Sequence, residues 1–379
     1  MTTPLPHGPS RGLDGVVALQ SSVCRLSAED GRLAYRGYDV RELAEKSTFE
    51  ETAFLLLVGH LPTALELRRF TTDLRSQQKL SPAALRTLKA TPAGADPMAV
   101  FRSALGTLAL EHGTVLPPSP EAAMAQGRRL IAVAPTLVAA FHRLRSGQKP
   151  VLPRKSLSFA ANFLAMLTGQ PADPEAARAF DAALILRAEN ELNPSTFAAR
   201  VVASTGADVF AAVLAAASAL GGPRHGGHTR NVMRALEEIG SPDAVSQWLR
   251  ERRERQARIP GFGHVVYQGE DPRTAFLRGL AERACERAGL WTLFRTAREL
   301  ELGMERESGQ HAIVDFYLAP LYRALGIPVD LFTAVFAVSR MPGWVAHVLE
   351  QYGDDTMLRP RAAYTGPLEL TYRPIRSRK

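Results

Sequence analysis

Apolar residues recur along most of this chain at the three-to-four spacing of an amphipathic helix, as in Phe49, Ala53, Leu56, Leu57 and Leu61. Helix starts are marked too. Asp39-x-x-Glu42, Thr48-x-x-Glu51 and Thr63-x-x-Glu66 have capping-box spacing, in which a side-chain oxygen and an acid three residues on satisfy first-turn N–H groups. Ser81-Pro82, Asp96-Pro97, Ser119-Pro120 and Asp173-Pro174 set a cap residue before a proline whose missing N–H is harmless at the first helical position. Strand signals are confined to two places. "VVALQSSVCRLSAEDGRLAYRG" reads as a hairpin turning at Glu29-Asp30-Gly31, and the last fifteen residues also read as strand. The expected fold is all-α, without a repeat at solenoid periods.

Two glycine-rich breaks interrupt the helical pattern, "ALGGPRHGGHTRN" (219–231) and "IPGFGHVVYQGEDPR" (259–273). Between Gly222 and about Ile327 the chain is more charged than on either side, which suggests a second, more solvated domain with Gly221 and Gly222 as hinge candidates. The expected division is a disordered N-terminus at 1–12, a large domain of 13–220 and 328–379, and a small domain of 221–327. The Ala-rich helix at 208–220 is too apolar to face water, so it lies in the core or in a subunit interface. In "DAALILRAENELNPSTFAARVV", Arg187, Asn190 and Glu191 interrupt an apolar run at i, i+3 and i+4. Buried charge is costly unless paired, so that face either lines a cavity or carries an Arg187–Glu191 pair.

Composition narrows the function. The net charge is +8 with a pI near 9.8, but acids intersperse the arginines, as in "RERRERQAR", and no aromatic-basic stripe occurs. Acidic small molecules therefore suit the chain better than nucleic acid. The two cysteines, Cys24 and Cys285, are too few for a disulfide framework or a zinc cluster. The N-terminus lacks a signal-peptide core and the longest apolar run, "VFAAVLAAASALGG", is too short to span a bilayer. A cytoplasmic protein with no membrane partner is expected.

Three residues could carry a reaction: His225 in "PRHGGHT", His264 in "GFGHVVY" and Asp315 in "IVDFY". The histidines lie in glycine-rich turns, where a backbone can approach a ligand. Asp315 sits in an apolar run, a setting that raises a carboxylate's pKa and strengthens it as a base. Each also has a bland reading, as a turn residue or a cap. His225 and His228 with His264 would allow a metal site, but no further ligand spacing supports it, and no metal is expected.

Together, "GRLAYRGYDVRELAEKSTFEETAFLLLVGHLPT", "ELNPSTFAARVVAST", "GGPRHGGH", "GFGHVVYQGEDPR", "VDFYLAPLYRALGIP", "VFAVSRMPGWVAHVLEQ" and "LRPRAAYTGP" resemble the citrate synthase and 2-methylcitrate synthase family in order and spacing, from about Gly12 to Ile375. The resemblance implies a nearly all-helical, two-domain homodimer with its site in the interdomain cleft. It implies condensation of acetyl-CoA with oxaloacetate, then thioester hydrolysis, with no bound cofactor. By the same match Asp315 is the base, His225 donates to the thioester oxygen and His264 to the ketone oxygen. Arg273, Arg340 and Arg359 bind the oxo-acid carboxylates, Arg359 reaching in from the partner subunit, and Ile259, Pro260, Gly261, Phe262 and Gly263 contact the CoA adenine.

Departures from the family pattern cluster near the ligands. Where relatives read "HAEHELN", this chain has Arg187 and Asn190, both expected to face the oxo acid. "PLHGGAN" has become "PRHGGHT", bringing in Arg224 and His228; Val265 and Gln268 replace two basic residues; Leu318 and Ala319 make the following wall more apolar. Three readings follow: a citrate synthase, a sibling condensing enzyme using another acyl-CoA (such as propionyl-CoA) or 2-oxo acid, or a non-catalytic metabolite-binding paralogue. The intact His225, His264 and Asp315 favour the first two.

Overall fold

The computed structural model describes residues 11–13, 15–112, 116–264, 266–267 and 269–378. The chain begins with a small antiparallel sheet, β1 (Cys24–Ser27), β2 (Arg32–Tyr35) and β3 (Tyr38–Asp39), in that order. Then come α1 (Val40–Lys46), α2 (Phe49–Val58), α3 (Ala64–Gln77), α4 (Pro82–Ala90), α5 (Pro97–Glu111), α6 (Pro120–Arg145), α7 (Phe159–Thr168), α8 (Pro174–Arg187), α9 (Pro194–Ala203) and α10 (Val209–Leu220). After them follow α11 (His228–Ile239), α12 (Val245–Glu254), α13 (Thr274–Arg287), α14 (Trp291–Ser308), α15 (Val314–Ala324) and α16 (Phe332–Asp354). Helices α11 to α15 pack chiefly on one another, and the others gather around α16, so the architecture is all-α with two domains.

The caps explain most helix starts. Ser81, Asp96, Ser119 and Asp173 each accept first-turn N–H groups ahead of a proline, as does Asn193. Thr63 with Glu66 makes a full capping box. At Thr48 only half of it forms, because the Glu51 carboxylate accepts from Ser47 Oγ instead. The hairpin pairs Ser27 with Arg32 around the expected turn, while β3 is an addition that the alternation did not signal. The last fifteen residues, in contrast, contain no strand among those described. They run exposed, with a 3₁₀ turn at Ile375–Ser377, and no neighbouring edge offers them a ladder.

Helix α8 stops at Arg187, and the chain turns out of helical geometry with Glu191 at φ 55°. Arg187, Asn190 and Glu191 therefore do not share a helical face. Two contacts fix this helix end. The buried Tyr35 hydroxyl accepts from Glu189 N–H (3.2 Å) and lies 3.1 and 3.0 Å from the Ile185 and Glu189 carbonyls, either of which can take its proton. Gly343 lets α16 come close: a Cβ there would fall 2.3 Å from the Ala188 carbonyl and 2.1 Å from Glu189 Oε2.

Tyr35→Phe strands the Glu189 N–H in the core and should cost about 1–3 kcal/mol of stability. Urea unfolding checks this; an unchanged midpoint would mean that the hairpin does not anchor α8.

Candidate active site

Asp315 opens the first turn of α15 and is 6% exposed. Its partner is not a cap but Arg187, which donates from Nη2 to Asp315 Oδ1 at 2.9 Å and from Nη1 to Thr229 Oγ1 at 2.7 Å. Thr229 in turn donates to the same Oδ1. The bland pairing of Arg187 with Glu191 is thus replaced by a buried pair with the candidate base. Burial pushes the Asp315 carboxyl up, but Arg187, His228, the Thr229 hydroxyl and Arg273 together hold it below the ordinary carboxylate value. The expected rise from an apolar setting is overturned, because the local charges outweigh desolvation. Both hydrogen bonds end on Oδ1, so Oδ2 is the oxygen left to take a proton.

Both histidines are held neutral. His225 lies in the turn before α11, and burial, reinforced by Arg340 and Arg187, lowers its pKa to about 4. Its Nε2 is 2.8 Å from Ser195 Oγ, which also receives the Trp344 indole N–H at 3.1 Å. The Ser195 proton can go to Asn193 Oδ1 (2.7 Å) or to His225 Nε2; in the second case the ring carries its proton on Nδ1. For His264 the tautomer is fixed by geometry. Nδ1 accepts the N–H groups of Val266 (3.0 Å) and Tyr267 (3.1 Å), so the neutral ring bears its proton on Nε2. Burial and then Arg273 depress the His264 pKa. Asp315 acts on the titration of both rings, which places the three groups within one electrostatic neighbourhood.

The arginines differ in availability. Arg273 is buried and forks onto Asp271 through Nε (2.8 Å) and Nη2 (2.7 Å), leaving Nη1 with a long bond of 3.4 Å to the Leu186 carbonyl. Arg340 is buried too, but its Nε donates to the Arg187 carbonyl (2.7 Å) and its Nη1 has no partner. Burial brings its pKa down to about 10, so it stays charged at neutral pH. The guanidinium carbons of Arg187 and Arg340 lie 3.5 and 4.9 Å from the centroid of one ring, Phe336, against which His225 packs edge-on. Arg359 is exposed, in the segment that follows α16. Asn190 is half-buried with Oδ1 unpartnered. Its N–H donates to Glu189 Oε1, which also faces His347 Nε2 (3.2 Å), and His347 Nδ1 faces Arg200 Nη1 (3.0 Å).

Backbone pairing ties the glycine loop to α15. Phe262 bridges Ala312, Gly261 accepts from Ile313 N–H (3.0 Å), and Gly263 donates to the His311 carbonyl (3.2 Å). Gly261 has φ +89°, and a Cβ would lie 2.7 Å from Val232 and 2.8 Å from Phe316, so only glycine fits. Within this loop Phe262 is sealed in the core, and Ile259, Pro260 and Gly263 retain surface. Beside it runs a groove of about 760 Å³ lined by Arg224, His228, Arg234, Arg252, Arg258 and Pro260, among others. Two of the departures, Arg224 and His228, therefore face a basic groove. Leu318 and Ala319 have no exposed surface and pack the core instead of walling the cleft. Val265 and Gln268 lie outside the described residues. Among the described residues no group of three His, Cys, Asp or Glu is arranged to hold a metal, both cysteines are free, and no helix is long and apolar enough to cross a membrane.

Sequence reasoning missed Ser195, Thr229, Asp271 and Phe336. Asp271 belongs to the same "DPR" as Arg273, and Ser195 lies in "ELNPSTFAARVVAST", so both stood in stretches already singled out, but neither residue was assigned a role.

A neutral imidazole pair, an ionised buried carboxylate and buried guanidinium groups in a two-domain helical frame fit an acyl-transferring, condensing enzyme. The model of the family described as "Citrate synthase, C-terminal domain" matches residues 12–361, and the chain belongs to the citrate synthase family. It is 41% identical to the citrate synthase of Synechocystis sp. over 370 residues, covering 97% of this chain and 93% of that one. It is also 41% identical to citrate synthase 2 of Bacillus subtilis, covering 97% and 99%. The structure of the Thermoplasma acidophilum citrate synthase in ternary complex with carboxymethyl coenzyme A and oxaloacetate superposes with a TM-score of 0.91 at 30% identity, covering 97% of this chain and 98% of that one.

The depressed His225 pKa links stability to pH. Its folded value near 4 lies below the ordinary 6.5, so the unfolded chain binds the extra proton first. This contribution is complete above about pH 6.5 and fades as pH falls towards 4. His225→Gln should flatten stability against pH in that window, measured by denaturant unfolding; an identical slope in both proteins would show that His225 is not held neutral.

Proposed function

We propose that this chain condenses acetyl-CoA with oxaloacetate and hydrolyses the product thioester to citrate and CoA. The observation that carries the reading is the ionised, buried Asp315 sharing one neighbourhood with the neutral rings of His225 and His264. A thioester methyl is a very weak acid, so a carboxylate removes its proton only if the enolate oxygen is stabilised as charge develops. Asp315 Oδ2 takes the proton, the C–H electrons move into the enolate, and His225 donates from Nδ1 to its oxygen while Ser195 holds Nε2. The enolate carbon then attacks the ketone carbon, and His264 Nε2–H donates to the oxygen that becomes the alkoxide. Water hydrolyses the citryl thioester and releases CoA.

Arg340, with its unpartnered Nη1, is the best-prepared receptor for an oxo-acid carboxylate, and Arg187 offers a further unpartnered donor at Nε. Asn190 would contribute through its Nδ2 amide hydrogens. Arg273 serves through Nη1 and through the positive field it adds beside Asp271. Ile259 to Gly263 receive the adenine, and the basic groove next to them suits the CoA phosphates, with Arg224, Arg234 and Arg258 doing what the family does with other basic residues. Residues 221–327 would form the small domain, closing over the large one to exclude water.

A homodimer completes the site. The side of α10 carrying Ala211, Leu214, Ala215, Ser218 and Ala219 is only partly covered, and the C-terminal segment exposes Met357, Tyr364, Leu368, Leu370, Tyr372 and Ile375. Such apolar surface suits a second copy of the chain. Arg359 lies in that segment and would reach the partner's cleft. A cytoplasmic location fits this metabolic role.

Mixing the purified protein with acetyl-CoA and oxaloacetate should release free thiol, read with a colorimetric reagent. Release with only another acyl-CoA or 2-oxo acid would reassign the substrate; none across a broad panel would reject an enzyme. Asp315→Asn should lower turnover by about 10²–10⁴-fold while oxo-acid binding persists. For the dimer, co-refolded Asp315→Asn and Arg359→Ala chains should regain about a quarter of wild-type activity, because mixed dimers carry one intact site. No recovery would place Arg359 outside the partner's site.

A further inference from the structure

Three of the helices that carry the candidate site have their other ends around a separate cavity. Arg187 closes α8, Arg273 immediately precedes α13, and Asp315 stands in the first turn of α15. At the far ends, Glu175, Ala176 and Ala179 of α8, Leu280 and Ala284 of α13 and Ala324 of α15 surround a cavity of about 490 Å³. Helices α8 and α13 have 14 residues each, about 21 Å, and run antiparallel. They are tied at both ends. Arg273 Nη1 donates to the Leu186 carbonyl at 3.4 Å, and Arg287 donates to Asp173 at 2.9 Å and to Glu175. Between the ties the lining is rich in alanine, too small to fill the space as a close-packed interior would.

The size is that of a small-molecule site, and the charges around it say which kind of molecule fits. Arg287 is engaged by the two acids of the wall, Asp173 and Glu175. Arg178 donates to Asp181 at 3.3 Å and to the Ala44 and Glu45 carbonyls at 2.6 Å each. Arg283 has no bonded partner among the described residues, so one guanidinium is left over beside an apolar lining. A single negative charge on an aliphatic body matches that arrangement, whereas a polyanion would meet Asp173 and Glu175. We infer that this cavity is a second binding site, for an aliphatic monocarboxylate, with the carboxylate on Arg283 and the hydrocarbon against Ala176, Ala179, Leu280 and Ala284. Its occupant also acts on turnover, an effect that rests on the domain closure proposed above, while the binding does not. Helix α8 packs with the group around α16, and α13 and α15 pack with the other group, so closure turns α13 against α8. A ligand wedged between them resists that turn and slows the reaction without touching either substrate. The Arg287 ties are exposed and individually weak, so they do not bar entry.

Titration calorimetry of the intact protein with octanoate reads the site. One octanoate should bind per chain, and octylamine, of the same length but opposite charge, should not. Saturating CoA and oxaloacetate should leave that stoichiometry unchanged; displacement by them would put octanoate in the cleft and overturn the proposal. Arg283→Glu, a change at an exposed position, should weaken octanoate at least about 10-fold, as loss of a charge-assisted contact requires. Ala176→Leu should weaken it as well, by occupying the cavity. No binding to the wild type, or equal binding to wild type and Arg283→Glu, would overturn the proposal. In the thiol-release assay, saturating octanoate should lower kcat at least about 5-fold in the wild type, with each KM kept within about twofold. Arg283→Glu should lose that inhibition while keeping its basal activity. Competition of octanoate with either substrate would count against the wedge. Calorimetry needs no turnover, so failure of thiol release would discredit the reaction without deciding whether the cavity binds.

Discussion

Three guanidinium groups, those of Arg187, Arg273 and Arg340, are each buried to 2% exposure in a helical core, and the central part of the molecule is arranged to tolerate them. An unpaired buried charge costs several kcal/mol, and helices offer few free polar atoms in their interiors. The chain meets this constraint at helix ends, where carbonyls, N–H groups and loops are available. Arg187 terminates α8, Arg273 precedes α13, and Asp315 begins α15. Arg340 sits inside α16 and borrows the Arg187 carbonyl. Apart from Arg340, these buried charges are therefore concentrated where secondary structure stops, and the surrounding helices hold them.

Phe336 is the pivot of that arrangement. An aromatic face attracts cations without neutralising them, so two guanidiniums can lie against one ring and remain strong donors to a ligand. A carboxylate in the same place would cancel the charge that an anionic substrate needs. His225 meets the same ring, so the histidine proposed to face the enolate and the arginines proposed to receive the oxo acid share a support. Movement of α16 at this point would be felt by all three.

Most of the fold was legible because its signals are local. Serine, aspartate and proline at helix starts, and Asp30-Gly31 in the hairpin, act through neighbours in sequence. The C-terminal strand failed because a strand is defined by a partner, and alternation along one segment cannot supply one. The site was half legible. The family match brought His225, His264 and Asp315 forward, and glycine-rich turns gave a physical reason for two of them. Periodicity then misled at Arg187, since a helical face was assumed to continue through Asn190 and Glu191 when the helix ends at Arg187. The basicity of Asp315 was misjudged for a related reason. Its apolar sequence neighbours were visible, whereas Arg187, 128 residues earlier, was not a neighbour until the chain folded.

The position of α16 has a consequence for how the chain comes to be folded. This helix, the last in the sequence, packs against α2, α5, α6, α8, α9 and α10, which are all made earlier. Arg200 meets Glu350 across 150 residues, and Tyr35 meets Glu189 across 154. During synthesis the first ten helices emerge without the element that fills their centre, and they wait while five more are made. Contacts of such long sequence separation form late and slowly. A nascent chain halted before Phe332 thus has its apolar interior open, and protection from aggregation becomes a matter of translation timing and chaperone access as much as of native stability.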